Sequence, residues 1–248
     1  MRGARKAVAA ERKDGAPVAI DRRRSVPPQV YEWLREQILT LQLKPGESIN
    51  ERWLAVRLGV SRTPIREAIN RLSANSLISI APNVGTTVAL INAAKIREFK
   101  YIRTSLETLI IRHAAERFDD ECGGVLKGLI ERQTATLETE DLIENIALDN
   151  EFHRTIAKIS GLTATWGVLQ HVMDEILRVR HLACQAQHAR TETIDAHLVI
   201  LEALMARDPD RCERAMKAHL DSSYQHIVSA LEQHPAYLEA AGGEKAPF

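Results

Sequence analysis

Apolar residues recur along most of the chain at the spacing of amphipathic helices. The first predicted helix is marked by four apolar residues three or four positions apart, Val30, Leu34, Ile38 and Leu41. Lys44-Pro45-Gly46 follows as a stop signal, because proline cannot continue a helix. We expect a second helix from about Asn50 to Gly59 and a third that begins at Ser61. Helices in this order, with a tight turn between the second and the third, are typical of a helix-turn-helix.

A β-hairpin is predicted directly after the third helix. The segments 77–80 and 86–90 are rich in β-branched residues, and Pro82-Asn83-Val84-Gly85 between them carries turn residues. A hairpin in this position is called a wing, and wings reach the minor groove of DNA. Between Val88 and Ala93 the pattern changes from short strands to long helical periodicity, which places a domain boundary there.

The remainder of the chain, from Ala93 to about Gln233, has helical periodicity throughout. Five breaks divide it into six helices, at residues 118–120, 139–141, 160–163, 188–190 and 208–210. The pattern predicts a mainly α fold, in which a winged helix-turn-helix with a small β-hairpin wing precedes an all-α antiparallel six-helix bundle. We divide the chain into an arm (1–26), a winged helix-turn-helix domain (27–91), a helical domain (92–235) and a tail (236–248).

Composition excludes several classes of protein. The 248 residues include 33 Lys plus Arg and 33 Asp plus Glu, and no apolar run approaches the ~20 residues that a membrane span needs. Cys122, Cys184 and Cys212 are widely spaced and odd in number, which argues against a disulfide framework and a zinc knuckle. The basic N-terminus lacks the apolar core of a secretory signal. We therefore expect a cytoplasmic protein without a membrane partner.

The neutral net charge hides an uneven distribution of charge along the chain. Residues 1–26 carry 8 basic and 3 acidic side chains, whereas residues 92–248 carry 18 and 25. We interpret residues 1–26 as a flexible basic arm that meets a polyanion, and a merely solvating tail is the alternative.

Polar and basic side chains cluster at the start of the third helix, namely Ser61, Arg62, Thr63 and Arg66. Recognition helices approach the major groove with their N-terminal residues. There an arginine donates two hydrogen bonds to guanine, and the helix dipole favours phosphate. This cluster is therefore the candidate DNA-reading surface, and an ordinary solvated helix start is the alternative.

Four residues of the helical domain form a candidate metal site, Asp149, His153, His197 and His219. Asp149 and His153 lie four residues apart, on one face of a helix. His197 lies 11 residues before Asp208 and His219 lies 11 after it, so in an antiparallel hairpin both stand roughly 16 Å from the turn. Three imidazoles and a carboxylate suit Zn²⁺, Ni²⁺, Mn²⁺ or Fe²⁺. We expect one divalent transition metal per chain, with zinc as the leading candidate, although each histidine alone is also compatible with an ordinary core position.

Three segments resemble the winged helix of the GntR family of bacterial transcription regulators, at residues 50–52, 58–68 and 82–85. The resemblance implies contacts to bases or phosphates from Arg52, Arg62 and Arg66. It further implies contacts to phosphates from Ser61 and Thr63 and places Gly85 at the wing tip. The expected partner is a double-stranded DNA operator. Because one recognition helix covers too little sequence for useful specificity, we expect a homodimer on an inverted repeat.

The helical part resembles the FCD ligand-binding domain of the FadR subfamily of GntR regulators, in segments 103–107, 149–153 and 197–220. That family places its metal on the residues that match the four named above, and leaves coordination positions for an effector or water. The resemblance implies a small carboxylate effector, such as a sugar acid or hydroxy acid, whose carboxylate pairs with Arg103. An ion pair between Arg103 and Glu107, four residues on, is the alternative role of this arginine.

These features favour a metabolite-responsive transcription regulator, a repressor released by a small carboxylate, over an enzyme. A metal-dependent enzyme is one alternative, because open coordination positions on a metal can polarise a substrate. A regulator that senses the metal itself is the other. The sequence carries neither a phosphate-cradling glycine-rich loop nor a nucleophile elbow, so we assign no catalytic residue.

Overall fold

The fold is described from a computed structural model, which covers residues 20–82 and 85–240 apart from the side chains of residues 171 and 172. The N-terminal elements are α1 (Val26–Leu39), α2 (Glu51–Leu58), α3 (Arg62–Ala74), β1 (Ile78–Ala81) and β2 (Gly85–Val88). The C-terminal helices are α4 (Ala93–Glu116), α5 (Asp120–Thr139), α6 (Leu142–Ser160), α7 (Thr163–Ala183), α8 (Gln187–Met205) and α9 (Pro209–Gln233). A 3₁₀ turn at Pro235–Tyr237 follows. The predicted fold class is confirmed. Most of the predicted basic arm (1–19), the wing-tip residues 83–84 and the last residues of the tail (241–248) lie outside the described residues.

The ends of α1, α2 and α3 follow from local side-chain chemistry. The Asn50 side chain accepts hydrogen bonds from the backbone N–H groups of Arg52 and Trp53, both at 3.0 Å, and so caps α2. Gly59 ends α2 in the left-handed conformation, with φ of 63°. The predicted extension of α1 to Leu41 is wrong, because the helix ends at Leu39 and Leu41 itself has φ of 60°. The Leu41 side chain packs instead against the core of the C-terminal helices.

The two strands form the wing. They pair antiparallel, with Ile78 opposite Val88 and Ala81 opposite Gly85. Gly85 has φ of +109°, a backbone conformation that side chains rarely permit. Ser48, from the segment before α2, adds an isolated bridge to Thr87. This third segment holds the base of the hairpin against the helix-turn-helix.

Each half of the molecule has its own hydrophobic core. The first core lies between α1, α2, α3 and the sheet, and includes the fully buried Leu34, Ile65 and Leu72. The second core lies among the six C-terminal helices. Leu177 of α7 packs against both cores, so α7 is a helix of the bundle that meets the N-terminal domain.

The C-terminal helices confirm the predicted number of six within the described part of the chain. Asp208 caps α9 by accepting a hydrogen bond from the Arg211 backbone N–H at 2.9 Å. The break predicted at residues 188–190 is wrong, because α7 ends at Ala183 and α8 begins at Gln187. That connection is a tight turn of consecutive backbone hydrogen bonds with no glycine, proline or capping side chain to mark it. Among the described helices, none is long and apolar enough to cross a membrane.

The connection between the two cores runs from Ala89 to Asn92 and is paired with the C-terminal segment. Ile91 donates its backbone N–H to the Tyr237 carbonyl at 2.8 Å and accepts from the Glu239 N–H at 2.9 Å. The Asn92 side chain also donates to Glu239, at 2.7 Å. The linker is thus one strand of a short parallel bridge and is held at a fixed place on the bundle.

Candidate metal centre and nucleic-acid interface

The predicted DNA-reading side chains lie together at the exposed start of α3. Ser61 stands at the N-cap position, and Ser61, Arg62, Thr63 and Arg66 are all exposed. Within the described part of the chain, the Ser61 hydroxyl makes no capping hydrogen bond to the helix. It is thus available to a phosphate, as are the N–H groups of the first turn. Arg52 is exposed at the start of α2, and Gly85 is exposed where β2 leaves the wing tip.

A carboxylate that the sequence analysis did not assign holds the two arginines of α3. The Oε2 atom of Glu51 accepts from Arg62 Nη2 at 3.0 Å and from Arg66 Nε at 2.9 Å. Partial burial raises the pKa of Glu51, but these two hydrogen bonds outweigh it and lower the pKa below its ordinary value. Both arginine side chains stay more than half exposed, at 57% and 61%. Glu51 therefore orients the pair without hiding it from a ligand.

The four residues of the candidate metal site meet inside the bundle. Asp149 and His153 come from α6, His197 from α8 and His219 from α9. One donor atom from each lies within 4.8 Å of the other three, and all four side chains are buried. The structure thus brings together every predicted ligand.

The closest contacts in this cluster join ring nitrogens and a carboxylate. His153 Nε2 lies 3.1 Å from His219 Nε2. His197 Nε2 lies 3.6 Å from Asp149 Oδ1, and His153 Nε2 lies 4.0 Å from Asp149 Oδ2. Metal–ligand bonds of ~2.1 Å place neighbouring ligands roughly 3–4 Å apart. The cluster therefore fits a transition metal after small adjustments of the side chains.

Two buried atoms in the cluster give a more direct test of this fit. Gln133 Oε1 lies 2.9 Å from His197 Nδ1, and an amide oxygen only accepts, so Nδ1 carries the proton. The lone pair of His197 Nε2 then faces Asp149 Oδ1, which is also an acceptor. Within the described residues, neither atom has a hydrogen-bond partner. Two buried acceptors that face each other at 3.6 Å call for a cation between them.

Three outer residues support the ligands, in roles that the sequence pattern does not indicate. Gln133 of α5 orients His197, as described above, and Glu107 of α4 contacts His153 at Nδ1. Arg180 of α7 donates to Asp149 Oδ2. Outer partners of this kind fix the ring orientation and tautomer of metal-binding histidines. The available signal was weak, because a polar residue within an apolar helix stripe marks an inward position but not the residue it will contact.

The protonation states of His197, His219 and Asp149 are those that a metal requires. Burial lowers the pKa of His197 to about 3 and that of His219 well below its ordinary value, with further lowering from neighbouring rings. Burial would raise the pKa of Asp149, but Arg180 holds it well below its ordinary range. Burial also opposes the ionisation of Glu107, but Arg103 and His153 bring its pKa down to about 2. At neutral pH His197 and His219 are therefore neutral and both carboxylates are charged.

Arg103 lies at the edge of this cluster. Its side chain is buried, and its Nε donates to Glu107 Oε1 at 2.5 Å. The ion pair considered from the sequence is present, but it is inside the protein and not on the helix surface. The Nη2 atom of the same guanidinium lies 3.3 Å from His153 Nε2. Arg103 therefore pairs with Glu107 and also faces the atoms that would bind a metal.

Arg103 also lines a narrow cleft. Its walls include Thr104 of α4, Ile176 of α7, and Leu220 and Tyr224 of α9. The cleft has a volume of about 20 Å³, which is room for about one water molecule. A carboxylic acid of several atoms would require movement of the lining side chains or of at least one of these helices.

Arg190 is a further buried cation that the sequence analysis did not single out. It lies on the inward face of α8, two turns before His197, and is 6% exposed. Among the described residues, no hydrogen-bond partner reaches its Nε or Nη1 atoms. Its charge lowers the pKa of the Cys184 thiol, although burial has the larger effect and raises it. Burial of a charged guanidinium whose N–H groups lack hydrogen-bond partners is unfavourable unless an anion binds to it.

Comparisons with known proteins agree with both halves of the structure. Residues 28–88 match the family model described as bacterial regulatory proteins, gntR family, and residues 100–222 match the model of the FCD domain. The HTH-type transcriptional repressor RspR of Escherichia coli is 32% identical over 83% of this chain and 88% of its own length. The repressor NanR of Salmonella newport is 27% identical over 81% of this chain and 84% of its own length.

Solved structures show the same arrangement of elements. The structure of E. coli McbR/YncC superposes with a TM-score of 0.70 and 26% sequence identity, and covers 85% of this chain and 99% of that one. A regulator from Rhodococcus has the same TM-score of 0.70 at 22% identity over 82% of this chain and 98% of its own, which shows the shared fold alone.

Proposed function

Because this chain belongs to the GntR family of bacterial transcription regulators with an FCD domain, we propose that it is a repressor released from its operator by a small carboxylate. That it is a metabolite-responsive DNA-binding regulator follows from the family and the domain pair. One observation carries the proposal further. The guanidinium of Arg103 faces the buried cluster of three histidines and one aspartate. In that cluster two acceptor atoms, His197 Nε2 and Asp149 Oδ1, face each other.

The proposed DNA contacts lie on three elements of the winged helix-turn-helix domain, for which we keep the range 27–91. Arg62 and Arg66 read bases or phosphates from α3, oriented by Glu51. Arg52 contacts the backbone or a base from α2, Ser61 and Thr63 bind phosphates, and Gly85 enters the minor groove. A two-fold homodimer would present two such surfaces to an inverted repeat. We place this complex with DNA in the cytoplasm.

The proposed metal site comprises Asp149, His153, His197 and His219 in the helical domain, for which we keep the range 92–235. Zinc suits three imidazoles and a carboxylate, and Ni²⁺, Mn²⁺ or Fe²⁺ would use the same atoms. When bound, the metal supplies open coordination positions and a positive charge. Arg103 then binds and orients the carboxylate of the effector, and Glu107 keeps the guanidinium in place.

A ligand screen followed by operator binding tests this proposal. Purified protein loaded with Zn²⁺ is screened by thermal shift against sugar acids and small carboxylates, and the operator is selected from random duplex DNA. A ligand at 100 times its dissociation constant stabilises the native state by about 2.7 kcal/mol. We expect a carboxylate that raises the melting temperature and weakens operator binding.

Two arginines of α4 provide a matched pair of variants. We expect Arg103→Ala to stay folded, keep Zn²⁺ and bind the operator, but to lose the response to the carboxylate. Arg112→Ala is the control, because Arg112 makes only partly exposed ion pairs with Asp210 and Glu213 of α9. Unaltered carboxylate affinity in Arg103→Ala, measured by calorimetry, would remove Arg103 from the effector site.

The same measurements separate metabolite sensing from metal sensing. If the metal only holds the effector, equilibrium dialysis should find the site occupied across physiological concentrations of Zn²⁺. Operator affinity that tracks free Zn²⁺ across that range without any carboxylate would make the metal the signal. The family is one of regulators and not of enzymes, so we propose no substrate turnover.

A further inference from the structure

Helix α7 carries four buried or half-buried charged side chains within seven residues, Asp174, Glu175, Arg178 and Arg180. Such groups are stable inside a protein only when they are paired. Their partners lie in three different parts of the molecule, namely α1, the interdomain linker and the metal cluster. Helix α7 therefore connects the proposed sensing site with the DNA-binding domain.

The contact with the linker is made by Arg178, which is fully buried. Its Nη1 donates to the carbonyl of Ala89 at 2.7 Å and its Nη2 lies 3.4 Å from the carbonyl of Leu90. Glu175, one turn earlier, accepts from Nη2 at 2.7 Å and fixes the guanidinium. Both linker carbonyls thus bond to a side chain whose position is set by α7.

A second contact joins α7 directly to the first helix of the winged domain. Arg35 Nε of α1 donates to Asp174 Oδ2 at 2.8 Å, and the other arm of the guanidinium meets Oδ1 of the same carboxylate. This two-armed ion pair sets an orientation as well as a distance. Leu177 packs between the two cores alongside it.

The contact with the metal cluster is made by Arg180, two residues after Arg178. The two carboxylate oxygens of Asp149 contact different residues. Oδ2 accepts a hydrogen bond from Arg180, whereas Oδ1 faces His197 Nε2. A change of charge or position at Oδ1 therefore acts on Arg180 through one rigid carboxylate. Ile176 of the same helix lines the narrow cleft beside Arg103, so α7 also forms one wall of that cleft.

We propose that α7 couples occupancy of the Asp149 cluster to the position of the winged domain, with Arg180 receiving the change and Arg178 passing it to the linker. This inference rests on the proposed function, because it describes how the same site is regulated. Packed helices shift as units against their neighbours, so a small displacement at Arg180 is felt at residues 89–90. Arg178 is a positioning residue that touches neither metal nor DNA.

The test uses Zn²⁺ as the probe and measures the ratio of operator dissociation constants for the zinc-loaded and zinc-free full-length protein. Couplings between sites are typically about 5- to 150-fold, and we expect the parent protein to fall in that range. In Arg178→Met the ratio should fall to within about twofold of one, while zinc affinity without DNA stays within about twofold of the parent. Arg112→Met removes an arginine from the same domain away from α7, and should keep the parent ratio.

A second variant and a second readout guard against a folding defect in Arg178→Met. Glu175→Gln keeps the side-chain shape but releases the charge that holds Arg178, and should reduce the ratio in the same direction. Hydrogen exchange reports on the linker directly, through the amides of Ala89 and Ile91, which donate to Leu77 and Tyr237. Zinc should change exchange at these two amides in the parent and in Arg112→Met, but not in Arg178→Met or Glu175→Gln.

The outcomes separate this inference from the function on which it rests. A parent ratio near one, with zinc and operator binding both intact, would overturn the coupling through α7 and leave the repressor proposal standing. If Arg178→Met and Glu175→Gln both keep the parent ratio of operator dissociation constants, the coupling through α7 is likewise overturned and the repressor proposal still stands. A parent protein that binds no DNA would refute the proposed function, and the exchange experiment would still decide whether the cluster acts on the linker.

Discussion

Acidification of the zinc-free protein should destabilise it through two histidines of the cluster. Burial brings the pKa of His197 to about 3 and that of His219 well below its ordinary value. In the unfolded chain both return to about 6.5. Between pH 7 and pH 5 the unfolded state therefore takes up protons that the folded state does not. By linkage, the free energy of unfolding falls as the pH falls.

The size of this decrease in the free energy of unfolding depends only weakly on the pKa values of the two histidines in the folded protein. At pH 5 each imidazole of the unfolded chain lies 1.5 units below its pKa, whereas each folded imidazole is still neutral. Protonation of each imidazole in the unfolded state therefore lowers the free energy of unfolding at pH 5 by roughly 2 kcal/mol relative to pH 7. For the two histidines together the decrease is about 4 kcal/mol. The lowered pKa values of Asp149 and Glu107 act in a lower window. Their contribution is present above the unfolded values near 4 and is lost as the pH falls from there through the lower folded-state pKa values, about 2 for Glu107.

Urea denaturation of chelator-treated protein at pH 7.0 and pH 5.0 measures the difference. The double variant His197→Gln, His219→Gln cannot titrate at these positions, whereas His181, whose pKa is also lowered by burial, titrates in both proteins. We expect the loss of stability between the two pH values to be about 4 kcal/mol smaller in the double variant. If parent and variant lose the same amount, the two imidazoles are not buried in neutral form and our account of the cluster is wrong.

Three further predictions concern other parts of the molecule. Arg66→Ala should weaken binding to the selected operator by about 1–3 kcal/mol and relax preference at one position. Arg71→Ala, at the far end of α3, is its control, and equal operator affinity of Arg66→Ala and the parent at the same salt would contradict the assignment. Arg190→Met should raise the free energy of unfolding by roughly 1–3 kcal/mol in anion-free buffer, as read from urea midpoints; a lower midpoint would mean that Arg190 has an unrecognised partner. Deletion of residues 1–19, which keeps Ile20 and Val26 on the core of the winged domain, should flatten the salt dependence of operator binding, and an unchanged slope would mean that this part of the arm does not contact DNA.

Much of the fold could be predicted because its boundaries are marked by local chemistry. Asn50, Gly59 and Asp208 each satisfy or terminate backbone hydrogen bonds within a few residues, so their meaning can be read without the rest of the chain. The turn between α7 and α8 carries no such residue and was misplaced by about four positions. Leu41 fitted a helical stripe but belongs to a different core, because periodicity does not say which surface an apolar residue will meet.

The candidate site shows the same division between local and distant information. The ligands could be grouped because His197 and His219 lie at equal distances from Asp208, and because Asp149 and His153 share a helix face. The outer partners Gln133 and Arg180 come from helices that neither pattern connects to the site. Their roles depend on how helices pack, which a single sequence does not state.

The pairing of the linker with residues 237–239 has a consequence for how the molecule is made. Ile91 leaves the ribosome almost 150 residues before the strand that pairs with it, and almost 90 residues before Arg178. The winged domain has its own core, and N-terminal domains fold first during synthesis. Its orientation on the bundle, however, depends first on the contacts of α7 and is completed only when residues 237–239 pair with the linker. The DNA-reading surface is therefore formed early in synthesis, and its attachment to the bundle is completed last.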